Sequence, residues 1–83
     1  MRVLYFAWLC EAVGMDEEEV APPPGVDTVE ALIDWLSARG EGHRRAFADR
    51  TRLRAAVDQA FVPLDAGIAG AGEVALFPPV TGG

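Results

Sequence analysis

The sequence predicts an α+β fold: a mixed sheet whose central strands run parallel, packed on one main helix, with an extended C-terminal Gly-Gly tail. Three observations predict it. Residues 2–9 and 73–77 are strand-like runs that are apolar almost throughout, the pattern of strands covered on both faces and therefore central. One amphipathic helix pattern lies between them. The last residues, Pro78-Pro79-Val80-Thr81-Gly82-Gly83, leave the body as a stiff strut and end as bare backbone.

Taken in order, residues 2–9 (RVLYFAWL) read as the first strand. Alternation sends Leu4, Phe6 and Trp8 to one face and Val3, Tyr5 and Ala7 to the other. Residues 11–25 hold the acidic run Asp16-Glu17-Glu18-Glu19 and the breakers Pro22-Pro23-Pro24-Gly25. That stretch reads as a solvated loop, with a short strand near Val20 allowed. A helix starts at residues 27–30, where Asp27 with Glu30 forms a capping box or Thr28 takes the cap instead. Val29, Leu32, Ile33 and Leu36 then make one apolar stripe, and Gly40 reads as the C-terminal cap. Residues 42–50 add a helical turn with Phe47 packing inward, while His43, without an acid–base partner in the sequence, reads as exposed and inert. Residues 54–63 form a hairpin turning at Asp58-Gln59, since Asp tolerates the left-handed conformation that a tight turn needs. A loop with Gly67, Gly70 and Gly72 leads into the last strand at residues 73–77. A parallel central pair, hairpins at the edges and one covering helix make a β-grasp, or ubiquitin-like, arrangement.

The expected organisation is a β-grasp domain over residues 1–77 and a tail over residues 78–83. Two prolines hold the tail extended away from the body. Two glycines then strip the tip, so it suits a slot that admits only backbone. The reactive group such a tail presents is the carboxylate of Gly83, with Gly82, Thr81 and Val80 as the segment that threads.

With 83 residues the chain buries one small core, about 60–65% of its unfolded surface. An apolar fraction of 51% is generous at that size and points to apolar surface reserved for a partner. The net charge of −6 disfavours nucleic acid and anionic membrane and favours a basic protein partner. All seven basic residues are arginine, so no side chain can accept an isopeptide bond. Arg44, Arg45, Arg50, Arg52 and Arg54 read as solvated or paired with local acids, some of them free to meet an acidic rim of a partner. Cys10 stands alone, which rules out an internal disulfide; it reads as half-buried at a strand end. One thiol and one histidine do not make a metal site. No apolar run is long enough to span a membrane and no signal peptide is expected, so a reducing cytoplasm is the expected home. Nothing resembles a Ser-His-Asp set or a phosphate-cradling loop.

Residues 73–83 (EVALFPPVTGG) resemble the C-terminal signature of the small subunit of molybdopterin synthase, a sulfur carrier of the ubiquitin-like fold. Val57-Asp58-Gln59 is similar to that family's hairpin turn, where Asn often replaces Asp58. The opening Val3-Leu4-Tyr5-Phe6-Ala7 and the helix start Thr28-Val29-Glu30-Ala31-Leu32 match as well, so the resemblance covers essentially the whole chain. It implies a chemistry centred on Gly83. An ATP-dependent activating enzyme adenylates the terminal carboxylate, a sulfur donor converts it to a thiocarboxylate, and the large subunit of molybdopterin synthase uses it to sulfurate cyclic pyranopterin monophosphate. It implies that this chain binds no cofactor itself, ATP being used by the activating enzyme, and that it assembles as two small with two large subunits.

Alternation supplies the expected docking face. If Val3, Tyr5, Val74 and Leu76 face the helix stripe, Phe6 and Phe77 point to the other side, and Phe61 on the hairpin joins them. Three phenylalanines on an open sheet face beside the tail suit a protein partner. Other readings on this fold stay open: a carrier for thiamin or tRNA thiolation, a protein modifier, or an interaction module indifferent to loss of Gly82 and Gly83.

Overall fold

The structure is a computed structural model that describes residues 1–79; Val80, Thr81, Gly82 and Gly83 lie outside the described residues. Among the described residues, five strands form one mixed sheet: β1 (Arg2–Tyr5), β2 (Glu17–Glu19), β3 (Arg54–Val57), β4 (Ala60–Val62) and β5 (Glu73–Phe77). Three helices accompany them, α1 (Trp8–Val13), α2 (Val29–Ser37) and α3 (Glu41–Ala46), with a 3₁₀ turn at Arg50–Arg52. The sheet order is β2-β1-β5-β3-β4. β1 and β5 run parallel at its centre, Val3 opposite Val74 and Tyr5 opposite Leu76, and every other pairing is antiparallel. This is the β-grasp arrangement that the sequence predicts.

The core lies between one sheet face and the helices. Val3, Tyr5, Val74 and Leu76 meet the α2 stripe of Val29, Leu32, Ile33 and Leu36, all of them buried. Thr28 takes the cap of α2, its hydroxyl accepting from the Ala31 N–H at 3.1 Å. The hairpin turns at Asp58 (φ 47°) and Gln59 (φ 73°), both left-handed as a two-residue turn of this hand requires. Asp58 Oδ1 also accepts from the N–H groups of Gly72 and Glu73 at 3.0 Å each, tying the turn to the start of β5.

The first strand is shorter than the apolar run implies. It ends at Tyr5, and Ala7, at φ 56° and ψ −135°, swings the chain into α1. Trp8 therefore stands on a helix rather than in line with Leu4 and Phe6, while Leu9 packs into the core. Cys10 is half-buried on α1, not at a strand end. Gly14, left-handed at φ 94°, closes α1 by donating to the Cys10 carbonyl. Gly40 does not cap α2, which ends at Ser37; it is extended (φ 172°) and opens α3. Phe47 is buried behind α3, as its helical turn requires. Helices α1 and α3 touch through Gly42, where a Cβ would lie 2.4 Å from the Ala12 carbonyl oxygen.

The acidic run is an edge strand rather than a loop, and His43 is neither exposed nor inert. Alternation along β2 leaves Glu17 and Glu19 exposed and turns Glu18 inward. Its Oε2 accepts from the Tyr5 hydroxyl and from His43 Nε2, both at 2.7 Å, and its Oε1 accepts from Arg39 at 3.1 Å. An ionised carboxylate only accepts, so Nε2 carries the imidazole proton. Burial alone would raise the Glu18 carboxyl, but the His43 and Tyr5 hydrogen bonds and the nearby Arg39 guanidinium outweigh it and hold the group below its ordinary value. Burial first, and then the bond to Glu18, push the Tyr5 phenol well above its ordinary range. This cluster stitches the edge strand to α3 and to the centre of the sheet.

Candidate functional site

The sheet face opposite the helices is apolar and uncovered. Leu4 and Phe6 come from the β1 end, Ala75 and Phe77 from β5, Ala56 from β3 and Phe61 from β4. Cross-strand pairing puts Ala75, Ala56 and Phe61 in one row. The two alanines form a shallow floor and the phenylalanines rise at its margins, enclosing an open trough of about 540 Å³. Phe61 is 85% exposed and Phe6 is 49% exposed. Phe61 and Phe77 lean on each other with ring centroids 5.6 Å apart. The structure thus brings Phe6, Phe61 and Phe77 to one surface. Burying such rings in a partner yields about 25 cal/mol for each Å² of apolar area removed from water, which a monomer forgoes.

Phe6 keeps its place because its N–H still donates to the Leu76 carbonyl at 3.1 Å, one step past the end of β1. The turn at Ala7 follows at once. A non-glycine residue in that conformation costs about 1–3 kcal/mol; here it parts the open face from α1 beside the tail's root. Pro78 lines the trough and also a second cleft of about 380 Å³. Trp8, Arg52 and Pro79 complete that cleft, with the Arg52 guanidinium 4.9 Å from the centroid of the Trp8 ring. Sequence patterning does not bring Ala7 or Trp8 to this site, and it offers Arg52 only as one of five arginines, some of them free to meet an acidic rim of a partner. Trp8 joins the tail's root only because β1 stops early. Val80, Thr81, Gly82 and Gly83, the threading segment expected from the sequence, lie outside the described residues.

The model of the ThiS family matches residues 3–83. The chain belongs to the ThiS family. It is 43% identical over 83 residues to the molybdopterin synthase sulfur carrier subunit of Escherichia coli K12, covering 100% of this chain and 99% of the relative. It is 33% identical over 87 residues to the subunit of the same name from Haemophilus influenzae, again covering 100% and 99%. Its fold is similar to that of SAMP1 from Haloferax volcanii, with a TM-score of 0.71 and 28% identity over 100% of this chain and 98% of the other. Among the described residues, no helix is long and apolar enough to cross a membrane.

Proposed function

We propose that this chain is the sulfur-carrying small subunit of molybdopterin synthase, with the Gly83 carboxylate as its reacting group. The observation that carries this reading is the 43% identity to a sulfur carrier subunit across the whole length of both chains. The open apolar trough beside Pro78 supports it, because a carrier must dock before its tail can be used.

In this reading the activating enzyme joins the carboxylate to AMP, with pyrophosphate leaving. A sulfide-level donor then attacks the acyl carbon and expels AMP. Sulfide itself leaves the thiocarboxylate, whereas a persulfide donor leaves an acyl disulfide that a thiol reductant cleaves to the thiocarboxylate, with a disulfide as the other product. Adenylation is needed because a carboxylate is a poor electrophile; the thiocarboxylate is anionic at neutral pH and nucleophilic through sulfur. The large subunit supplies acid–base groups and anion-binding cations, and this chain supplies a delivered reagent. Two deliveries build the dithiolene of molybdopterin. Phe6, Phe61 and Phe77 are the anchors that seat the chain on the large subunit.

Intact-mass measurement tests the proposal, using protein incubated with ATP, the activating enzyme and a sulfur donor, next to a chain lacking Gly83. A species heavier by one oxygen-to-sulfur exchange, absent from the shortened chain, is the expected result. An unchanged mass under conditions that charge a known carrier refutes it. Covalent adducts to other proteins through Gly83 would make the chain a modifier instead.

A further inference from the structure

The arginines of this chain are not equivalent. Arg2 pairs with Glu73 and Glu17, Arg39 with Glu18, Arg44 with Glu41 and Arg50 with Asp34. Arg54 donates to the carbonyls of Thr51 and Leu53. Among the described residues, Arg45 has no carboxylate within ion-pair distance, and neither does Arg52, which Asp49 reaches only at longer range, although the chain carries thirteen acidic residues. The Arg52 guanidinium lies instead over Trp8, in the cleft shared with Pro78 and Pro79.

That placement is a form of preparation. A guanidinium over an indole ring is held by cation–π attraction, yet its N–H donors lie in its own plane and stay available to a planar acceptor. Stacking also removes rotamer freedom that an exposed arginine would otherwise lose on binding. Pro78 lines both this cleft and the apolar trough, so the cation is continuous with the proposed docking face. We propose that Arg52 is the charged anchor of that face and receives an Asp or Glu side chain from the protein that takes up the tail. The inference rests on the reading of the trough as the large-subunit docking face and adds its polar contact. An apolar trough permits sliding and rotation, whereas a two-point arginine–carboxylate contact fixes register. Fixed at the root of the tail, that register decides how deep the tip reaches. The net charge of −6 still favours a partner that is basic around this contact; the carboxylate sought is a local exception, as Arg52 is here.

Calorimetric titration with the large subunit of molybdopterin synthase from the same source tests this, comparing the unmodified chain with Arg52→Gln, Arg52→Glu and Arg45→Glu. Arg45 is an exposed cation on α3, in the helical layer, and controls for the overall field. The expected result at low salt is a loss of about tenfold or more for Arg52→Glu and a several-fold loss for Arg52→Gln. Both losses should shrink as salt rises, with Arg45→Glu binding like the unmodified chain. Circular dichroism verifies the fold, and Arg52→Gln removes the charge without reversing it if the Glu variant unfolds. Equal affinities for all four proteins overturn the inference and leave the docking reading intact, as does an equal loss for Arg45→Glu. Phosphate or AMP that binds the unmodified chain but not Arg52→Gln, with the large subunit absent, overturns it in favour of an anion site. An unmodified chain that fails to bind the large subunit overturns both readings.

Discussion

Replacing Glu18 with alanine should cost this domain a large share of its stability. One carboxylate serves Tyr5, His43 and Arg39. A hydrogen bond to a charged group contributes about 1.5–3 kcal/mol, and two of these bonds are partly buried. The Arg39 contact is more exposed and adds about 0–1 kcal/mol. Bonds to one acceptor do not sum fully, and Glu18 offsets its own burial, so about 3 kcal/mol is the expected net loss. A domain of this size has roughly 4–12 kcal/mol in all. Urea unfolding followed by circular dichroism would show the midpoint at pH 7 falling by roughly 2 M, for a slope near 1.5 kcal/mol/M. The pH dependence gives a second reading. Because folding lowers the Glu18 carboxyl below its ordinary 4.5, its stabilisation is complete above that value and is lost as acid carries the pH down through the lowered one. The unmodified chain should therefore lose more stability between pH 5 and pH 3 than Glu18→Ala does. A cost under about 1 kcal/mol at pH 7, or equal acid sensitivity of the two proteins, would refute the assignment.

Two further substitutions probe the docking face and the helical layer. Phe77→Arg places a charge on the open face of a half-buried position; the fold should persist by circular dichroism while large-subunit affinity drops by about 2–4 kcal/mol. Unfolding of that variant, or unchanged binding in a titration, would sink the docking role. Gly42→Ala forces a Cβ against the Ala12 backbone and should cost about 2 kcal/mol, lowering the melting temperature by roughly 8–16 °C; a drop of only a degree or two would mean that α1 and α3 part without cost.

What is legible in this sequence is whatever depends on neighbours. The α2 stripe, the Thr28 cap, the Asp58-Gln59 turn and the bounds of β5 are set within a few residues, and strand alternation suffices to put Phe6, Phe61 and Phe77 on one face. What escapes depends on distant partners or on a single dihedral. Residues 2–9 suit a buried strand one by one, and the turn that ends it sits at an alanine, a residue with no turn signature; only Gly14 hints that a helix precedes it. Glu17-Glu18-Glu19 resembles a solvated loop because charge is what edge strands use to resist pairing with other chains. His43 looks idle because its acceptor is 25 residues away in the sequence. The Trp8–Arg52 stack inherits the same difficulty, since it exists only once α1 has formed.

The central parallel pair carries a consequence for the birth of the molecule. Arg2 meets Glu73 across 71 positions of sequence, and β1 has no other central neighbour to lean on. Contacts so far apart are slow to form, and during synthesis they must wait until β5 has cleared the ribosome. Until then neither Phe77 nor the floor at Ala75 exists as surface, so a partial chain has no trough to offer. Docking competence thus waits on β5: a partner that grips this face is, without any separate inspection, selecting molecules in which β5 is already in place.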